Sequence, residues 1–206
     1  MKSEDFKKHF NVSRETLKCL SIYESLLKKW NIKKNLVSKK SIPDIWGRHF
    51  LDSAQLVNHC EPENRLWVDI GSGAGFPGVV SALMLRDRGI KTDIVLVEKN
   101  KTKALFLQEL RRRLGLSFDI ICENVKEIGP LKADIISARA FSPLENLLIA
   151  SNYHGNKNSV SLFLKGKNLR EELDKTFKIW FFQYDIIKSI SSIDGKIIKI
   201  NKLEKL

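Results

Sequence analysis

The sequence predicts an α/β fold built on a seven-stranded, mostly parallel sheet, and three features predict it. From residue 66 to about 177 short apolar runs alternate with helical patterns, as expected for parallel strands joined by crossover helices. The first run, Leu66 to Ile70, breaks at once into Gly71, Gly73, Gly75 and Gly78, which reads as strand, tight loop and helix start. Beyond Trp180 the chain turns β-rich, so the last two strands read as a hairpin that closes the sheet with an antiparallel strand near one edge.

A chain of 206 residues suits one α/β domain, 1–206, with an N-terminal helical cap over 1–64 and the core over 65–206. Lys and Arg number 36 against 24 Asp and Glu, giving a net charge of +12 and a pI near 9.6. That balance favours a polyanion such as nucleic acid as partner, although a basic surface can also be a trait of a whole proteome. Cys19, Cys60 and Cys122 show no C-x-x-C spacing, and His9, His49, His59 and His154 make no ligand pair, so no metal site is expected. The start Met1-Lys2-Ser3-Glu4-Asp5 is charged where a signal peptide is apolar, and no run reaches the length of a membrane span. A cytoplasmic protein, acting as a monomer and away from membranes, is expected.

Taken in order, residues 3–30 carry Phe6, Phe10, Leu17, Leu20, Leu27 and Trp30 at near-helical spacing, with Ser13 as an N-cap. The pairs Lys28-Lys29, Lys33-Lys34 and Lys39-Lys40 follow in an Asn- and Ser-rich stretch. They read either as a solvated turn or as contacts to RNA phosphates. Ser41-Ile42-Pro43-Asp44 starts a further helix through Trp46, His49, Phe50 and Leu51. On it Arg48 and Asp52 stand one turn apart, an intrahelical ion pair worth about 0.2–0.5 kcal/mol. A helix resumes over 79–85, and 93–98 is the second strand, ending on Glu98. Residues 99–114 form a helix with Ala104, Leu105, Leu107, Leu110 and Leu114 inward, stopped by Gly115. The third strand spans 118–122 and the fourth 133–138, with Arg139 at its tip. A polar loop over 153–158 precedes the fifth strand at 160–164, a short helix over 168–177, and the hairpin strands 180–187 and 196–200.

Two registers of the glycine loop compete. Gly73-Ala74-Gly75-Phe76-Pro77-Gly78 satisfies the dinucleotide pattern G-x-G-x-x-G, with Glu98 as the downstream acid. Counted from Gly71, the spacing Asp-x-Gly-x-Gly-x-Gly resembles the cofactor loop of Rossmann-like S-adenosylmethionine methyltransferases. Glu98, at the tip of the second strand, could then accept hydrogen bonds from both ribose hydroxyls of an adenosine. The loop 123–127 would meet the adenine.

Further blocks extend this second match: Asn35-Leu36-Val37, Arg48-His49-Phe50-Leu51-Asp52-Ser53, Asp69 to Gly78, Ser137-Ala138-Arg139-Ala140-Phe141 and Leu164-Lys165-Gly166. With them the chain resembles the RsmG (GidB) family, small-subunit (16S) ribosomal RNA methyltransferases that modify guanine at N7. The resemblance implies S-adenosylmethionine as cofactor and small-subunit ribosomal RNA, or the small ribosomal subunit, as partner. It implies that Gly71, Gly73, Gly75 and Phe76, following Asp69, hold the methionine part of the cofactor, that Glu98 faces the ribose, and that Val125 and Lys126 flank the adenine. Arg139 would reach cofactor and target base, and Lys165 would line the same pocket; these two are the catalytic candidates. Lys28, Lys29, Lys33, Lys34, Lys39, Lys40 and Arg48 are the candidates for RNA contact. The chain departs from the family at Asn124, commonly Arg, and at Lys126, commonly an acid.

The residues bear on the kind of methylation. A cytosine-C5 enzyme needs a cysteine nucleophile after a proline, and no cysteine here follows one. The Asn/Asp-Pro-Pro-aromatic segment of exocyclic-amine enzymes is replaced by Ala138-Arg139-Ala140-Phe141. Guanine N7 already presents a lone pair, so positioning can supply most of the catalysis. A dinucleotide-binding oxidoreductase and a non-catalytic RNA-binding module of the same fold remain as alternatives. Arg139 is expected at a loop, where its loss leaves the fold little affected.

Overall fold

The computed structural model describes residues 1–61, 63 and 65–206; the cap boundary expected after residue 64 falls outside the described residues. The strands are β1 Leu66–Ile70, β2 Asp93–Val97, β3 Asp119–Ile121, β4 Ala133–Arg139, β5 Gly155–Lys165, β6 Trp180–Lys188 and β7 Lys196–Lys205, in the order β3-β2-β1-β4-β5-β7-β6. β1 to β5 pair in parallel, and β7 runs antiparallel to both β5 and β6. The order reverses between β1 and β4, which opens a crevice at the carboxyl ends of those strands. Gly71 leaves β1 on one side of it, and Arg139 ends β4 on the other.

Successive strand residues face opposite layers. Trp67, Leu96, Ile135 and Leu162 pack with the N-terminal helices α1 (Ser3–His9) and α2 (Arg14–Asn31) and with α4 (Gly78–Asp87) and α5 (Lys101–Leu114). Val68, Ile136 and Phe163 pack instead with α6 (Leu144–His154) and α7 (Leu169–Thr176). Burial on both faces explains why the central strands read as continuous apolar runs.

Ser13 caps α2 as expected, its Oγ accepting from the Thr16 N–H at 3.1 Å. Asp87, at the end of α4, accepts from the Ser13 N–H at 3.1 Å and the Thr16 hydroxyl at 2.7 Å, fastening the start of α2 to the end of α4. The N-terminal stretch is two helices rather than one, broken around Phe10. Residues 41–57 also depart from the expected helix. A 3-10 run, Lys39–Asp44, leads through a wide π turn, Trp46–Leu51, into the short α3, Asp52–Ala54, and a second 3-10 run, Gln55–His59. On α5 the inward residue is Phe106, while Leu105 is 56% exposed. At about 100° per residue Leu105 stands roughly opposite the stripe of Ala104, Leu107, Leu110 and Leu114. Phe106 is buried because Trp30 and Tyr23 of α2 lie on it, at centroid distances of 5.4 and 6.3 Å. The polar stretch 153–158 is not a loop: α6 runs to His154 and β5 starts at Gly155. Asn156, Lys157 and Asn158 occupy the poorly covered start of that strand, where nothing selects apolar side chains.

Candidate active site

β1 delivers the chain to Gly71, which adopts φ +67° and donates its N–H to the Val97 carbonyl at 2.8 Å. A side chain at Gly71 would run into the ring of Phe141. Phe141 is 39% exposed and follows Ala140, which sits at φ +49°. Beside them opens a cavity of about 270 Å³ whose lining includes Gly71, Glu98, Lys103, Asn124, Val125 and Phe141. The Glu98 carboxylate accepts from the N–H groups of Gly73 and Asn100, both at 2.8 Å. It thereby fastens the glycine loop to the start of α5, and each oxygen keeps acceptor capacity.

Arg139 points away from this cavity into a larger one of about 770 Å³, whose lining includes Arg48, Asp52, Lys165, Glu172 and Ser191. Ala140 borders both cavities. The guanidinium is 14% exposed and heavily engaged. Nη1 donates to the Arg48 carbonyl at 2.8 Å and lies 3.5 Å from Oδ2 of Asp52. Nη2 donates to Nδ1 of His49, and the cation stands 4.8 Å from the centroid of the Phe76 ring. Burial lowers the Arg139 pKa from its usual value, opposed chiefly by the charge of Asp52. The wide turn at 46–51 makes this possible, because it aims both the Arg48 carbonyl and the Asp52 carboxylate at β4. Asp52 therefore pairs with Arg139 in place of the expected intrahelical partner, Arg48. Arg139 is also no loose loop residue, since it joins β4 to the N-terminal layer.

Phe76 lies in a ring stack, with Tyr23 at 5.2 Å and 5° and His49 at 4.7 Å and 18°. Burial, followed by the charges of Arg139 and Arg48, pushes the His49 pKa down from 6.5 to about 3. The ring is neutral, and with Nδ1 accepting from Arg139 its proton belongs on Nε2. The unfolded chain binds a proton at this residue below about pH 6.5, whereas the folded chain resists until about pH 3. Stability from this group is thus complete above pH 6.5 and is lost as the pH falls towards 3, by about 1.4 kcal/mol per pH unit. Replacing the imidazole in His49→Asn should make the fall in stability between about pH 6.5 and pH 5 shallower by about one proton. Urea unfolding of both proteins at the two pH values measures this, and equal slopes would remove His49 as the titrating group.

Lys165, the other catalytic candidate, is paired with Glu172 at 2.5 Å and donates to the Ser142 carbonyl at 3.2 Å. Glu172 also accepts from the Leu144 N–H at 2.6 Å, so this pair fixes α7 against the start of α6. Among the described residues no three His, Cys, Asp or Glu side chains gather as a metal site. No described helix is long and apolar enough to cross a membrane.

A family model described as GidB, rRNA small subunit methyltransferase G, matches residues 16–201. The chain belongs to the GidB family. It is 38% identical over 196 residues to the ribosomal RNA small subunit methyltransferase G of Ruegeria pomeroyi, covering 95% of this chain and 96% of that one. Its identity to the protein of the same name from Parvibaculum lavamentivorans is 40% over 204 residues, 98% of this chain and 89% of that one. Among solved structures, M. jannaschii TYW2 in complex with AdoMet superposes with a TM-score of 0.58 at 15% identity, over 79% of this chain and 78% of that one. A SAM dependent methyltransferase from Aquifex aeolicus gives 0.58 at 12% identity, over 87% and 98%. These structures share the fold, Rossmann-like with a seven-stranded sheet.

In this GidB chain the structure separates the expected cofactor residues into two groups. Gly71, Glu98 and Val125 line the smaller cavity. Asp69, Gly75 and Phe76 do not reach it. Asp69 is fully buried, accepting from the Ser137 hydroxyl at 2.7 Å and the Gly78 N–H at 3.1 Å, and burial raises its pKa to about 6. It braces the loop from behind. A Cβ on Gly75 would stand 2.6 Å from the Tyr23 hydroxyl, so that glycine admits α2. Phe76 is buried in its ring stack, and Gly73 reaches the cavity only through its hydrogen bond to Glu98. Lys126 is exposed and off the cavity, where Asn124 takes its place. On the other flank, Arg48, Lys29, Lys33, Lys34, Lys39 and Lys40 are exposed, and no ion pair among the described residues holds them. Lys28 is held by Glu24 at 2.6 Å. Sequence reasoning missed the parts played by Tyr23, His49 and Asp52, although the block Arg48 to Ser53 carried a signal for the last two.

Proposed function

We infer that the chain transfers a methyl group from S-adenosylmethionine to N7 of a guanine in small-subunit ribosomal RNA. The observation that carries this is the junction of the two cavities at Ala140, at the point where the strand order reverses, in a member of this family. The residues of the smaller cavity fit the cofactor: Glu98 offers acceptors to a ribose, Val97 and Val125 give apolar wall for a base, and Gly71 admits close approach of backbone. When bound, the cofactor supplies an electrophilic methyl group and keeps the electron pair of the broken carbon–sulfur bond as its sulfonium becomes a neutral thioether. Guanine N7 attacks with its own lone pair and loses no proton, so the chain's residues are left to bind, orient and exclude water. The side chains around Arg139 suit that division of labour. His49 is neutral with Nδ1 engaged, and the Lys165–Glu172 pair is closed on itself. The guanidinium is spent largely on protein acceptors and does not fork onto N7 and O6, a grip that would cover the attacking lone pair.

Residues 1–206 act on this view as one cytoplasmic unit and as a monomer, with the cap over 1–64 supplying Tyr23, His49 and Asp52 to the core. The exposed lysines and Arg48 contact RNA phosphates. Reversing Lys29, Lys33, Lys34 and Lys39 to Glu should flatten the salt dependence of RNA binding by about 0.7–0.9 in log–log slope for each phosphate no longer neutralised. An unchanged slope would leave them a solvated turn. The reaction itself is tested by mass mapping of small-subunit RNA from cells with and without the protein. A 7-methylguanosine that vanishes with the protein is the expected result. No difference, together with no calorimetric binding of S-adenosylhomocysteine, would make the chain a non-catalytic module.

A further inference from the structure

We propose that Asp52 reads the Watson–Crick edge of the target base and makes the enzyme select guanine, an inference that rests on N7 of a guanine being the methylated atom. The Asp52 side chain is 17% exposed and lines the larger cavity. Its two oxygens differ. Oδ1 accepts from Ser191 Oγ at 2.6 Å, Ser189 Oγ at 3.1 Å and Gln55 Nε2 at 3.2 Å. Three donors from two separate segments lock the carboxylate in one orientation. Oδ2 meets Nη1 of Arg139 at 3.5 Å, beyond an ordinary hydrogen bond, and so keeps lone pairs for a ligand. The other carboxylates on this cavity are worse placed: the charge of Glu172 is met at close range by Lys165, with the Leu144 N–H on the same oxygen, Oε2, and Asp194 is exposed on the hairpin turn.

The order of groups along the sheet edge matches the order of atoms around guanine. Starting at N7, the rim of the base presents O6, then N1–H, then the 2-amino group. Starting at the smaller cavity over β1 and β2, the protein presents Ala140, then Arg139 on β4, then Asp52, which is braced by the turn between β6 and β7. A guanine with N7 towards the smaller cavity would set O6 near the cation and its two donors before Oδ2. Adenine would turn an unprotonated N1 to the same carboxylate and be repelled. Such a site rejects an analogue that lacks the donor, because the buried acceptor is left unpaired.

The test uses the full chain and small-subunit RNA carrying either guanosine or inosine at the mapped nucleotide, with single-turnover rates measured for wild type and Asp52→Asn. Inosine keeps N7, O6 and N1–H but lacks the 2-amino group. Wild type should methylate guanosine about 10- to 100-fold faster than inosine, and the variant should slow on guanosine until the ratio falls to about 1. An undiminished ratio in Asp52→Asn, or no discrimination by wild type, overturns the proposal, because a residue that only steadies Arg139 would slow both substrates alike. If Asp52→Asn does not fold, Asp52→Glu keeps the charge but shifts the carboxylate by one methylene out of its three-donor cradle; a reduced ratio supports the assignment and an unchanged one overturns it. Absence of any N7 methylation by wild type would instead overturn the reaction inferred above.

Discussion

Arg139→Ala is expected to lower single-turnover methyl transfer to small-subunit RNA by about 10²- to 10³-fold, the scale of removing one preorganised polar group from a reacting centre. A structural loss should accompany it. The guanidinium is shared by the Arg48 carbonyl, His49, Asp52 and the Phe76 ring, and its removal leaves the carboxylate of Asp52 without its cation. Breaking a largely buried pair in this way costs about 3–5 kcal/mol. Arg139→Lys keeps the charge but has no planar fork to serve the carbonyl and the imidazole together, so it should lie between wild type and Arg139→Ala. The two effects can be separated. In Arg139→Ala/Asp52→Asn the orphaned charge is gone, so chemical unfolding should show stability partly recovered while the rate stays low. Full activity in Arg139→Ala would remove the residue from the mechanism.

Gly71→Ala is expected to weaken binding of S-adenosylhomocysteine by at least about tenfold, roughly 1.4 kcal/mol, as read by calorimetry. Two costs contribute. At φ +67° any Cβ is strained, by about 1–2 kcal/mol, and this Cβ would also strike the Phe141 ring, displacing the wall of the smaller cavity. Gly89→Ala separates them, since Gly89 has φ +69° but open space around its added Cβ. It should lose stability to a similar backbone cost and leave cofactor affinity unchanged. Phe141→Ala in the Gly71→Ala background should restore the part due to the collision. Equal affinity in Gly71→Ala and wild type would place the cofactor elsewhere.

Much of the architecture was legible because it is local. The apolar run Leu66 to Ile70, the glycines after it, the Ser13 cap and the stop at Gly115 each depend on a few neighbouring residues, and all stand as read. Errors arose where burial was imposed from outside the segment. Helical period alone turns Leu105 away from the buried stripe, whereas Phe106 stands at the flank of that stripe and only the arrival of Trp30 and Tyr23 covers it. The stretch 153–158 is polar because it precedes the covered part of β5, and composition alone cannot separate an exposed strand end from a loop.

The same division runs through the site. By itself the sequence determined the α/β class, the glycine loop at the first strand, the acid at the tip of the second and the cation at the tip of the fourth, because strand ends follow from hydrophobic pattern and chain order. Only the tertiary structure decided what those groups do for one another. Arg139 and Asp52 are far apart in the chain, and in a regular helix Asp52 would have faced Arg48. The wide turn at 46–51 and the reversal of strand order bring Asp52 to Arg139 instead, and the ring of Phe76 is drawn into the cap rather than the cavity. Periodicity records which residues avoid water. It carries no record of which distant charge will meet them, since that partner is chosen by the free energy of the whole packed chain.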